Sequence, residues 1–295
     1  MKDGEKMPLA MTQYYFLKDI INSLPLNVKN NLKYNNSLLF NVATFNDCGI
    51  FYKLFNPIKK DKYKINDKIN SQLFNDFIIE CSYQCKKNDN YKQLLFLYGI
   101  ITNHILKENI DKYLSIRLNK KLTYDKACNI IDCYYAKLND NLDLTKVSIT
   151  DYFKDGFKYT DYMENMIHNP CIKVFSFFCT KTYFSHSLKI KKLYYKYFTR
   201  SKTKIKLFPY KIYDLIFNHR GKPKATSYIY TKKIDANLFN FNKKPYLIND
   251  ITYNNSLDDV INDAKGQALE IIKSLNSYIF YDKDNFKEYL KKLED

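Results

Sequence analysis

With 295 residues, 45% of them hydrophobic, the chain can bury a sizeable core, either as one large domain or as two ordinary ones. Only 6 glycines and 7 prolines are present, too few for an all-β fold that must turn about every ten residues, so the composition favours helices. The net charge of +17 points to an anionic partner, nucleic acid or an acidic membrane surface, although excess Lys, Asn, Ile and Tyr without any Trp is also the bias of an AT-rich gene.

The 7 cysteines, at 48, 81, 85, 128, 133, 171 and 179, are odd in number and follow no framework spacing, which argues against a secreted disulfide scaffold. Cys81 and Cys85, four apart on an expected helix, read as packed thiols. No apolar run reaches the roughly 18 residues of a transmembrane helix. The opening MKDGEKMPLAMTQYYFLKD lacks the apolar core of a signal peptide, so the expected location is the cytoplasm.

In chain order, Thr12 is placed to cap a helix running to about Ser23, and a short helix follows Pro25 from about Leu26. The apolar segment 37–45 ends in Asn46-Asp47-Cys48-Gly49, a turn signal that presents an acid at a helix end. Residues 56–68 read as a solvated loop. A helix from about Asn70 to Lys86 carries Leu73, Phe74, Phe77, Ile78 and Cys81 at core spacing. The next stretch, Leu94 to Leu114, is the centre of the chain. It reads as one long helix, apolar at first, punctuated at Gly99, with Asn103, Lys107 and Asp111 four apart on one face. Carboxylates and imidazoles at that spacing make a metal-binding stripe, but this stripe holds an amide, an ammonium and one acid.

Thr123 is placed to cap a helix over 124–138. Another element covers 148–168, and a helix is expected from about Cys171 through VFSFFCTKTYFSHSL. From there the chain turns basic: Lys189, Lys191, Lys192, Lys196, Arg200, Lys202, Lys204 and Lys206 alternate with tyrosines, a cationic surface suited to anionic lipid or a nucleic-acid backbone. Residues 218–255 look irregular, with Tyr-Ile-Tyr (228–230) the only strand-like fragment. Residues 256–280 form the clearest amphipathic helix, opened by a near capping box of Ser256 and Asp259, and a short helix covers about 284–292. Without repeats or a linker, one all-α domain over 1–295 is the simplest reading.

MPLAMTQYYF (7–16) stands where a M-P-x-x-M-T-H-Y motif would, NVATFND (41–47) where G-x-Q-G-P-D ends in a metal-binding Asp, and LYGIITNHILKENIDKYL (97–114) where L-G-F-x-x-H-Y-x-L-D-x-x-x-H-P-Y runs. In this order the three stretches resemble the bacterial zinc-dependent phospholipase C-like family. The resemblance implies a single-domain helical bundle of the zinc-dependent phospholipase C/P1 nuclease type, with an irregular basic insertion before the C-terminal helix. It also implies a zinc cluster that activates water against a phospholipid phosphodiester.

Carried over residue by residue, the ligand set mostly fails. The motif His is Gln13, and the acid survives as Asp47. The H-x-x-x-D-x-x-x-H face becomes Asn103, Lys107 and Asp111. The H-x-x-x-E pair ahead of Ile131-Asp132 becomes Tyr124 and Cys128. Only 4 histidines occur, His104, His168, His186 and His219, about as many as a multi-zinc site would use by itself. The resemblance therefore implies a degenerate, zinc-free pseudoenzyme in which Lys107 replaces the metal's charge by pairing with Asp47 or Asp111, and which still meets phosphate-bearing or anionic ligands. Two other readings stay open. A one-residue shift makes His104 and Glu108 an H-x-x-x-E pair, giving an active hydrolase on a reduced site of Asp47, Asp111, His104 and Glu108. Alternatively, the basic segment makes the chain a binding module for anionic lipid or nucleic acid. No Gly-rich phosphate loop, G-x-S-x-G elbow or Rossmann fingerprint is present.

Overall fold

Apolar residues spaced three and four apart run through most of the chain, and each such run forms a helix whose apolar stripe faces a common interior. The computed structural model describes residues 9–52, 68–69, 71–88, 91–119, 122–153, 160–178, 180–197, 212, 215, 230, 236–248, 251–281 and 286–292. Within them lie α1 (Ala10–Asn22), α2 (Leu26–Asn31), α3 (Asn36–Ala43), a 3-10 turn (Phe45–Asp47) and α4 (Cys48–Tyr52). Next come α5 (Phe74–Asn88), α6 (Tyr91–Ser115), α7 (Tyr124–Asp140), a second 3-10 turn (Ile149–Phe153), α8 (Thr160–Phe175) and α9 (Lys181–Tyr197). The C-terminal part contains α10 (Ala236–Phe239), the antiparallel pair β1 (Tyr246–Ile248) and β2 (Ile251–Tyr253), α11 (Leu257–Tyr281) and α12 (Phe286–Lys292). The class is all-α. The expected loop at 56–67 lies outside the described residues.

The central helix α6 packs along α11 and is flanked by α1, α3 and α5, so its first half is buried nearly all round. Gly99 marks its tightest approach. A Cβ there would stand 2.4 Å from Val42 Cγ1 and 2.5 Å from the Val42 carbonyl oxygen, so only hydrogen fits beneath the end of α3. Tyr98 hydroxyl donates to Asn276 Oδ1 at 2.5 Å and ties α6 to α11. The buried apolar residues, from Leu9 to Leu290, form one continuous cluster.

Three expectations need correction. Thr12 does not cap α1, which starts at Ala10 behind Leu9 with no side-chain cap from its own neighbourhood. The helix expected from Cys171 has already begun at Thr160 and passes through Pro170. Met166, Ile167, Pro170, Cys171 and Phe175 are all buried, and burying that stripe outweighs the one hydrogen bond a proline removes. The break falls instead at Ser176, whose φ of 56° ends α8. Finally, β1 and β2 form where an irregular segment was expected, while of Tyr-Ile-Tyr only Tyr230 is described. No helix among the described residues is long and apolar enough to cross a membrane.

Candidate functional site

Asp47 lies where three elements meet. The 3-10 turn that carries it is held against α6 by Asn46, whose Nδ2 donates to the Ile100 carbonyl at 3.1 Å. Asp47 itself is 1% exposed. Its carboxyl is hydrogen-bonded by the side chains of Gln13, from α1, and Asn103, from α6. Asn103 Nδ2 also donates to the Ala43 carbonyl at 2.9 Å, fixing α6 to the end of α3. Burial raises the Asp47 pKa, and the fields of Lys107 and Lys191, together with the two amide hydrogen bonds, offset part of that rise.

Lys191 corrects the expectation of a cationic surface. It is 0% exposed, its Nζ donates to the Thr44 carbonyl at 3.2 Å and to Thr44 Oγ1, and it lies 5.5 Å from the Phe40 ring centroid and 5.8 Å from that of Phe51. Burial lowers its pKa to about 8, with Cys48 and Asp47 acting in the opposite direction. The reason is helical period: Phe184, Ser187, Leu188, Lys191, Tyr194 and Tyr195 share the buried face of α9. On the same helix Lys189 and Lys196 are exposed and Lys192 is half-buried. Arg200, Lys202, Lys204 and Lys206 lie outside the described residues.

One turn beyond Lys107 is a second group. The Tyr124 hydroxyl donates to Asp111 Oδ1 at 2.5 Å, joining α7 to α6, and Cys128 lies buried beside Tyr124. Burial, followed by the charges of Asp125, Asp111 and Asp132, pushes the Cys128 thiol well up, so it is not a thiolate at neutral pH. The expected Lys107 pairing takes a looser form. Its field reaches Asp47, but among the described residues no ion pair joins Lys107 to Asp47 or Asp111.

Asp132 is a functional-looking residue that the sequence reading passed over. Buried on α7, it accepts from Thr12 N at 2.9 Å and Thr12 Oγ1 at 2.7 Å, and from the backbone N–H groups of Met11 and Ala10. It therefore satisfies the donors at the start of α1 from 120 residues away. Burial still raises its pKa to about 7. The signal was present in the sequence: Cys128, Ile131, Asp132 and Tyr135 share one apolar face, where an acid needs a partner.

The reduced metal site is not assembled. His104 stacks on Phe74 with ring centroids 3.6 Å apart, 3.9 Å from Glu108, which in turn pairs with Lys112 at 2.8 Å, so this pair occupies a different face of α6 from Asn103. Burial lowers the His104 pKa to about 4. Among the described residues, no group of three or more His, Cys, Asp or Glu side chains is placed to hold a metal. Gln13 Oε1, Asp47 Oδ2 and Asn103 Oδ1 are buried acceptors without a donor, the kind of atom a cation takes. Two of the three belong to amides, however, and two ammonium groups already supply positive charge to the carboxylate. A zinc cluster, which needs imidazole, carboxylate or thiolate donors, does not fit this set.

Against known proteins, no family model, curated protein or solved structure matches the chain.

Proposed function

We propose that the chain is a zinc-free, catalytically inactive protein on the scaffold of the zinc-dependent phospholipase C/P1 nuclease type. The observation that carries this reading is the chemistry around Asp47. At the positions where the resemblance implies zinc ligands stand the buried Gln13 and Asn103 and the half-buried Lys107, and the charge of a second, buried cation, Lys191 on α9, acts on the same carboxylate. Positive charge that a metal would bring to a buried acid is supplied by the chain itself. Asp111 is likewise engaged by Tyr124. The buried Lys191 and the half-buried Lys107 both repel divalent cations, and an ammonium offers no lone pair to hold one.

Metal analysis of the purified chain, together with assays on phosphatidylcholine and a chromogenic phosphodiester, tests the reading. The expected result is less than one zinc per chain and no turnover. Two or more tightly held zinc ions, or hydrolysis abolished by a chelator and by Asp47→Ala, would overturn it.

A further inference from the structure

A second polar feature, sharing no residue with the Asp47 cluster, lies where the chain leaves α6. Arg117 sits just past the end of that helix, its guanidinium carbon 3.7 Å from the Tyr113 ring centroid and 4.1 Å from that of Tyr246. Its Nη1 donates to the Tyr113 carbonyl at 3.2 Å, and it is hydrogen-bonded to the Tyr246 side chain. The guanidinium is held in place by these contacts, leaving other N–H groups to bind outward. Opposite it runs the turn between α10 and β1. Asn240 and Lys243 both take positive φ, 48° and 49°. The turn is locked by Asn240, whose Oδ1 accepts from Lys244 N at 3.0 Å and whose Nδ2 donates to the carbonyls of Lys244 at 3.1 Å and Asn255 at 3.0 Å.

Between the two lies a cavity of about 320 Å³, within the range of small-ligand sites. Arg117, Lys244, Asn237 and Asn242 line it, Phe241 and Pro245 give it an apolar wall, and among the described residues no carboxylate lines it. Neither cation is ion-paired within the described residues. The carboxylate of Asp259, at the start of α11, is already taken by Lys243 at 2.8 Å and by Ser256. Basic composition alone would scatter lysines over the surface. Here two cations with no ion-pair partner among the described residues line one preorganised cavity together with Asn242.

We propose that this cavity binds a small phosphate monoester with a flat or apolar organic part. A phosphate near neutral pH carries close to two negative charges and three acceptor oxygens, which match the two cations and the Asn242 amide. The organic part lies against Phe241 and Pro245.

Calorimetric titration of the full chain with phenyl phosphate tests the assignment, with phenol and inorganic phosphate in parallel. Vesicles of phosphatidylcholine with and without phosphatidic acid show whether the phosphate belongs to a soluble molecule or a lipid headgroup. Phenyl phosphate is expected to bind more tightly than either fragment. Lys244→Gln, at an exposed turn position, and Arg117→Gln should each weaken binding by about ten-fold at low salt. Binding only to phosphatidic acid vesicles, with the same loss in both variants, supports the site and assigns the phosphate to a headgroup. Equal binding by the wild type and both variants, or no binding to any probe, overturns the proposal. So does phenol binding as tightly as phenyl phosphate.

Discussion

Two helix starts in this protein do the same job with a carboxylate, in opposite surroundings. At the head of α11, Asp259 accepts from Ser256 N and Ser256 Oγ, both at 2.9 Å, while Ser256 Oγ accepts from Asp259 N at 3.2 Å, a reciprocal box closed within four residues. At the head of α1 no local side chain serves, and Asp132 arrives from α7 to take the N–H groups of Ala10, Met11 and Thr12. The two acids respond in opposite directions. Hydrogen bonds from Lys243 and Ser256 lower the Asp259 pKa to about 2, whereas burial raises that of Asp132 to about 7. A local cap sits near water and stabilises its own helix. The distant cap gives up hydration in order to fix one helix against another, and Tyr15 hydroxyl donating to Asp140 Oδ2 at 2.8 Å secures the same pair further along.

The sharpest break in this contrast is Asp132→Ala. It strands several buried donors at once and should cost about 3–5 kcal/mol in urea unfolding. A loss below about 1 kcal/mol would make the distant cap no more than a local one.

The pH dependence comes next, and its sign differs between the two caps. Folded Asp132 keeps its proton to about pH 7, and the unfolded chain only to about 4. The native state therefore binds the extra proton in that window, and stability should fall by about 2–4 kcal/mol as pH rises through it. His104, whose folded pKa is about 4, works against this below about 6.5, so the comparison with Asp132→Asn isolates the acid: the fall should vanish in the variant. Asp259 acts the other way, its contribution being lost as pH drops from about 4 toward 2.

Glycine replacements separate the two long helices. Gly99→Ala drives a methyl into the Val42 backbone and should cost about 1–3 kcal/mol. Gly266→Ala in α11 meets nothing within 4 Å and should raise stability by about 0.5–1 kcal/mol, read as opposite shifts in the thermal midpoint. Asp259→Ala should cost about 1 kcal/mol, and less in high salt, because its partners are close to solvent.

The same division runs through what could be read before the fold was known. The α11 helix with its capping box, the α6 helix with its glycine, and the helix over Tyr124–Asp140 follow from spacing and short-range chemistry, which act within a few residues. The stripe of Asn103, Lys107 and Asp111 on one face of α6 likewise follows from its spacing. A run of cations in the sequence implies a surface, but position on the helix decides burial: Lys189 is exposed and Lys191 is not. The apolar face around Asp132 shows that the acid needs a partner, but not which one, because that partner lies on α1.

By itself, then, the sequence determined the helical class, the helix at the centre and its polar face, since these depend on residue type and period. Only the tertiary structure decided which charges meet in the interior. Lys191 against Thr44 and Asp132 against the start of α1 are contacts between segments more than 100 residues apart, and the loss of water on burial, rather than local propensity, makes each buried charge require its partner.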